Sequence, residues 1–163
     1  NFWYVSALFF SFWGDTCLLF KDEFFLFGLV SFLIGHVLYI KISSGYLKSI
    51  SISKTIGFSI PFIIAFGSVV ILIKDNLGEM LMPVIIYGIV ISAFGILTVL
   101  NYSQTKSTEN LWLFLGAVIF IVSDSLLAIN RFYEAREIYG ISVMVTYIVA
   151  QYLICKAMIV KDS

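Results

Sequence analysis

Two carboxylates stand inside otherwise apolar runs: Asp15 in FSFWGDTCLLF and Asp124 in IFIVSDSLLAI. An ionisable side chain among such neighbours is costly to bury and is retained where it acts. If folding brings the two together in a low dielectric, they share one proton. One then serves as general acid and the other as general base or as a stabiliser of positive charge. The structural alternative is that each acid caps or hydrogen-bonds a neighbouring helix, and spacing alone leaves both uses open.

A few further residues could complete such a site. Tyr147 and Gln151 are one helical turn apart in the last apolar run. Arg131 lies seven residues after Asp124 on the same helical face. It could pair with a carboxylate, grip a phosphate through two nitrogens, or anchor the helix at the membrane interface. His36 in FLIGHVLYI has Tyr39 a turn away and could carry a proton or serve as a packing histidine. Lys156 near the last helix end is long enough to reach water.

Other chemistries lack their residues. A single histidine cannot build a three-histidine zinc site, and Cys17 and Cys155 form no metal spacing. There is no G-x-S-x-G elbow and no glycine-rich phosphate loop. No metal or cofactor is expected. Ten basic residues balance ten acidic ones with no basic run, so no nucleic-acid partner is expected either.

The elements that must position these residues are membrane helices. Of 163 residues 61% are hydrophobic and 12% charged, with a mean hydropathy of +1.03. A soluble domain carries about 25% charge. A spanning helix needs roughly 20 mostly apolar residues. Six segments meet or approach this: Phe2–Phe20, stopped by Lys21-Asp22-Glu23, then Phe24–Ile42, Thr55–Ile73, Glu79–Leu100, Leu111–Ile129 and Ile138–Val160. Pro61 and Pro83 read as helix-start residues, where a missing N–H costs least. The predicted fold is therefore all-α, a polytopic transmembrane bundle forming one domain over 1–163, with six spanning helices running alternately up and down. Gly28 and Gly35 on the second helix, and Gly88, Ser92 and Gly95 on the fourth, are spaced to let helices approach closely.

Alternation puts the N-terminus, the 41–54 and 101–110 links and the C-terminus on one side. That side holds Lys41, Lys48, Lys54, Lys106, Lys156 and Lys161, against Lys21, Lys74, Arg131 and Arg136 on the other. The excess of positive residues predicts cytoplasmic chain ends. Asp15 and Asp124 each lie five residues from the opposite end of their segment. At about 1.5 Å per residue both are roughly 8 Å deep, on helices running in the same direction.

At these residues the sequence resembles the lysoplasmalogenase, or YhhN-like, family of membrane proteins. SFWGDTCLLF followed by FLFGLVSFLIGHVLYI is similar to one family motif, LGAVIFIVSDSLLAINRF to a second and VMVTYIVAQYLI to a third. The resemblance implies an eight-helix fold with both ends cytoplasmic, of which this chain would be helices three to eight. The location implied is a bacterial inner membrane. A Lys-Pro motif expected near the second helix is absent here, and the chain starts directly in apolar NFWYVSALFF without a basic region. The activity implied is hydrolysis of the vinyl ether bond of lysoplasmalogens, with the bilayer and a lysophospholipid as partners. Asp15 and Asp124 would be catalytic, and His36, Tyr39, Ser123, Tyr147 and Gln151, which match motif positions, would line the pocket and bond the carboxylates.

Two other uses fit the same residues. A small transporter or channel would employ the acids as a proton or cation relay, extended by His36 and Lys156. A lipid-binding structural protein would use the abundant phenylalanines, 16 in all, as lipid-facing surface.

Overall fold

The computed structural model describes residues 2–20, 24–49 and 51–162, and all of its regular elements in those residues are helical. They are α1 (Phe2–Leu19), α2 (Phe25–Gly45), α3 (Ile52–Ile73), α4 (Leu81–Gln104), α5 (Thr108–Phe132) and α6 (Glu137–Asp162), with 3-10 turns at Lys74–Asn76 and Gly78–Met80. The expected Lys21-Asp22-Glu23 stop lies outside the described residues. A helix bonds its own backbone groups, so it can sit in lipid without unmet donors.

Helices α2 to α6 are long and apolar enough to cross a membrane. With 21 to 26 residues each, they reach about 32–39 Å against a hydrocarbon core of about 30 Å. The sixth predicted segment is α1, whose 18 residues reach about 27 Å and pack along α2.

The polar links are shorter than the sequence suggests. Half of 43–54 and most of 101–110 is absorbed into helix ends. Ser107 caps α5, its hydroxyl accepting from the Asn110 N–H. Asn101 donates to the Ser43 carbonyl at 2.9 Å, and Gln104 bonds both Lys48 N and the Ser49 carbonyl. The end of α4 thereby holds the α2–α3 link. Pro83 sits in the first turn of α4, as predicted, but Pro61 does not begin a helix. It is the tenth residue of α3, because α3 starts at Ile52. Its ring removes the N–H that would reach the Gly57 carbonyl.

Close approach sets the bundle. The α1–α2 and α5–α6 pairs are the most intimate, and α4 touches both α2 and α5. A Cβ on Gly28 would meet the Gly14 carbonyl at 3.2 Å, and one on Gly35 the Ala7 carbonyl at 3.3 Å. Gly88 and Gly95 instead receive Phe66 and Phe62 of α3, the least buried helix of the five spans. The core between α1, α2, α4, α5 and α6 holds Tyr39, Phe94, Leu113, Phe120 and Ile154. Outward faces carry side chains such as Phe9, Phe12, Ile63, Ile71 and Ile148, a surface that lipid solvates.

Gly116 comes closest to a neighbouring helix backbone, since its Cβ would lie 3.1 Å from the Ala150 carbonyl and 2.8 Å from Ile154 Cγ1. Gly116→Val is expected to cost about 1–3 kcal/mol of stability through overpacking. Gly67→Ala, where nothing lies within 4 Å, should be neutral or gain up to ~1 kcal/mol. Thermal unfolding in detergent micelles reads both.

Candidate functional site

Each half-buried carboxyl meets a tyrosine from another helix. Asp15 on α1 accepts from the Tyr147 hydroxyl of α6 at 2.7 Å. Asp124 on α5 accepts from the Tyr87 hydroxyl of α4. An apolar interior leaves a carboxyl no water to bond, so a donor must come from a facing helix. Tyrosine supplies one while packing an apolar ring around it.

Asp15 stands at the end of a longer chain of bonds. Tyr39 donates to Gln151 Oε1 at 3.2 Å, Gln151 Nε2 donates to the Tyr147 hydroxyl at 3.2 Å, and Tyr147 donates to Asp15. The one-turn spacing of Tyr147 and Gln151 makes this possible, since both lie on the α6 face turned toward α1 and α2. Phe32 and Phe120 wedge the Tyr147 ring edge-on, with centroids 6.0 and 5.4 Å away.

The two acids line one cavity of about 430 Å³. Its walls are Asp15 and Leu18 of α1, Phe32 of α2, Ser123, Asp124, Leu127 and Asn130 of α5, and Gly140, Val143, Met144, Tyr147 and Ile148 of α6. That volume is within the range of small-ligand sites, ~300–1,000 Å³. The lining is mostly apolar, with the two carboxyls, a serine, an asparagine and a tyrosine as its polar groups. Met144 and Ile148 are 66% and 64% exposed, so the α6 wall borders the outward, lipid-facing surface. Two smaller cavities, of about 60 and 50 Å³, also reach Asp124 from the α3–α4 and α2–α4 sides.

The sequence-predicted residues divide into groups. Asp15, Asp124, Ser123 and Tyr147 line the shared cavity. Ser123 donates to the Val143 carbonyl at 3.1 Å, tying α5 to α6 beside the acids. Gln151 and Tyr39 stand behind Tyr147 in the bonded chain. His36 is outside the cavity, in the core. Its Nδ1 is 2.9 Å from the Phe32 carbonyl, which can only accept, so that nitrogen carries the hydrogen. Its Nε2 is buried with no hydrogen-bond partner among the described residues. Rings of Phe120, Tyr87, Phe94 and Tyr39 surround it at 4.6 to 6.0 Å. Arg131 does not line the cavity. Its guanidinium lies 4.0 Å over the Phe25 ring, next to the α5–α6 turn.

Tyr87 is the functional-site residue the sequence reading misses. It stands in VIIYGIVI, where an aromatic residue reads as core. The available signal is the hydroxyl: a tyrosine inside an apolar spanning run needs a partner on another helix. No His, Cys, Asp or Glu cluster able to hold a metal occurs among the described residues.

These features define a multipass helical membrane protein with an internal, carboxylate-lined cavity. The chain belongs to the YhhN family, which it matches over residues 1–158, as its three motifs imply. It is similar to lysoplasmalogenases of Mycobacterium bovis and Mycobacterium tuberculosis, at 27% identity over 157 residues in each case. The matched stretch is 93% of this chain and 58% of each relative, so the chain spans a little over half the length of those proteins. No solved structure matches it.

Tyr87→Phe strips the hydroxyl from Asp124 and should destabilise the bundle by about 1–3 kcal/mol. Tyr152→Phe, on the exposed face of α6, should change stability by less than ~0.5 kcal/mol. A Tyr147→Phe/Gln151→Leu double-mutant cycle should show non-additivity of about 0.5 kcal/mol or more, because the two share one chain of bonds. Equilibrium unfolding in mixed micelles measures all three.

Proposed function

We propose that the chain carries the active site of a membrane-embedded hydrolase that cleaves the vinyl ether bond of lysoplasmalogens, with Asp15 and Asp124 as its acid/base pair. The observation that carries this reading is the single cavity lined by both carboxyls and bounded on α6 by lipid-facing residues. The names of the mycobacterial relatives point the same way.

The chemistry suits two carboxyls. One, protonated, delivers its proton to the vinyl carbon remote from oxygen, and the double-bond electrons form the new C–H bond. The cation left is shared between the adjacent carbon and the ether oxygen. The other carboxyl, ionised, stabilises that cation and takes a proton from the attacking water. The resulting hemiacetal gives up its hydroxyl proton as the C–O bond to glycerol breaks and the leaving oxygen is protonated. The products are a fatty aldehyde and a glycerophospho-base, from substrate and one water. Glycosidases divide an oxocarbenium-like reaction between two carboxyls in the same way. Tyr147 and Tyr87 orient one carboxyl each, and no metal or cofactor enters the scheme.

The same reading places the chain ends in the cytoplasm. Three lysines at that end of the bundle lie over aromatic rings: Lys41 on Trp3 at 3.2 Å, Lys156 on Trp112 at 4.0 Å and Lys161 on Tyr46 at 4.1 Å. Such pairs suit the water–lipid boundary on the positive side. A transport role would need the polar groups behind Asp15 to continue beyond Tyr39 and His36, where Phe94 packs against both rings.

Asp15→Asn and Asp124→Asn should each lower the rate of aldehyde release from a lysoplasmalogen by about 100-fold or more in reconstituted protein. Ser125→Ala, whose hydroxyl only bonds back to the Ile121 carbonyl at 2.7 Å, should leave the rate unchanged. Unchanged turnover in both Asn variants overturns the assignment, and cation flux in liposomes without lipid turnover would favour the transporter.

A further inference from the structure

Glycine inside a helix costs about 1 kcal/mol relative to alanine and needs a reason. At Gly14, Gly28, Gly35, Gly88, Gly95 and Gly116 the reason is a neighbouring helix, which a Cβ would strike. Gly78 has φ +50°, a left-handed conformation that favours glycine. Gly140 on α6 has neither. Nothing lies within 4 Å of its would-be Cβ, and its φ is not positive. Gly45, Gly57 and Gly67 share those properties but line none of the cavities described above, whereas Gly140 lines the cavity of the acids.

Gly140 stands at one end of that cavity, opposite Asn130 of α5 and next to the α5–α6 turn. Asn130 is six residues from Asp124, and Gly140 is seven from Tyr147. The pair is therefore about 9–10 Å along the helices from the carboxyl level, towards the bundle end. Asn130 Oδ1 accepts from the Arg136 N–H at 2.8 Å, which leaves its amide NH2 as the donor at this end. Among the described residues no cation lines the cavity. Arg136 is paired with Glu134 at 2.7 Å, a bond that pushes its guanidinium further above its ordinary pKa. Arg131 is laid over Phe25.

We propose that the space between Asn130 and Gly140 is the head-group subsite for a single-chain phospholipid, and that Gly140 sets its size. This rests on the hydrolase reading for the identity of the lipid. With the reacting bond at the carboxyls, the glycerol unit spans the distance to this gap, and the phosphate and its base emerge at the turn. Asn130 and Gly140 are both uncharged, so the gap between them selects by bulk. Any side chain at position 140 has room in the fold and projects into the space the head group uses.

The test substitutes Gly140→Ala and Gly140→Leu, with Gly67→Leu as a bulk control outside the cavity. Two readouts are taken in reconstituted protein: KM and kcat for vinyl-ether lysolipids with choline or ethanolamine heads, and Kd for the corresponding alkyl-ether lysolipids, which bind without reacting. Gly140→Leu should raise KM and Kd about ten-fold or more, and more for choline than for ethanolamine. Its kcat should stay within about two-fold, with thermal stability kept or raised. Gly140→Ala should shift the same way by less, and Gly67→Leu should change nothing. A Gly140→Leu protein that binds both alkyl-ether lipids like the wild type overturns the subsite. If wild type binds these lipids, Gly140→Leu weakens that binding, and no aldehyde is ever released, the subsite stands and the hydrolase reading falls.

Discussion

A carboxyl group inside an apolar bundle has to find a hydrogen-bond donor on another helix. That requirement organises the interior of this protein. Asp15 draws Tyr147 of α6 to α1, and Asp124 draws Tyr87 of α4 to α5. Four helices are thereby tied through two tyrosine–aspartate bonds, and the bonds leave both acids facing one cavity. In hydrocarbon there is no water to replace a lost partner, so these contacts fix register as well as position.

The ties work only because backbones come close. Gly14, Gly28 and Gly35 bring α1 against α2, and Gly116 brings α5 against α6 beside Ala150 and Ile154. The α5–α6 and α1–α2 pairs are the intimate ones, and they carry Asp124, Asp15 and Tyr147 between them. The α3 helix contributes to this least. It inserts Phe62 and Phe66 over Gly95 and Gly88 and otherwise faces outward. Since Tyr87 lies one residue before Gly88 on α4, those two phenylalanines back the helix that holds Asp124.

Much of this was readable from the chain itself. Five of the expected spans appear as helices of spanning length, since apolar runs of that length have few other fates. Asp15 and Asp124 are conspicuous because charge is rare in such runs, and Tyr147 and Gln151 share a face because 3.6 residues make a turn. What a helix face points at is a different matter. His36 looks equivalent to Asp15 in sequence, yet Phe94 and Phe120 close around it from α4 and α5 and keep it in the core. Tyr87 hides among aromatic core residues, and its hydroxyl acquires meaning only when α4 meets α5. Pro61 falls inside α3 and not at its start because the helix begins at Ile52, among polar residues that a hydropathy reading assigns to a link.

Gln151 has a consequence of its own. A side-chain amide can donate with its nitrogen and accept with its oxygen, but it does not pass a proton from one side to the other. Here its nitrogen faces Tyr147 and its oxygen faces Tyr39. The chain of bonds behind Asp15 is therefore rigid and polarised, yet blocked to proton hopping at its middle link. A proton exchanged by Asp15 therefore does not pass along this chain. The carboxyl is wired to the core for orientation and sealed from it for charge transfer.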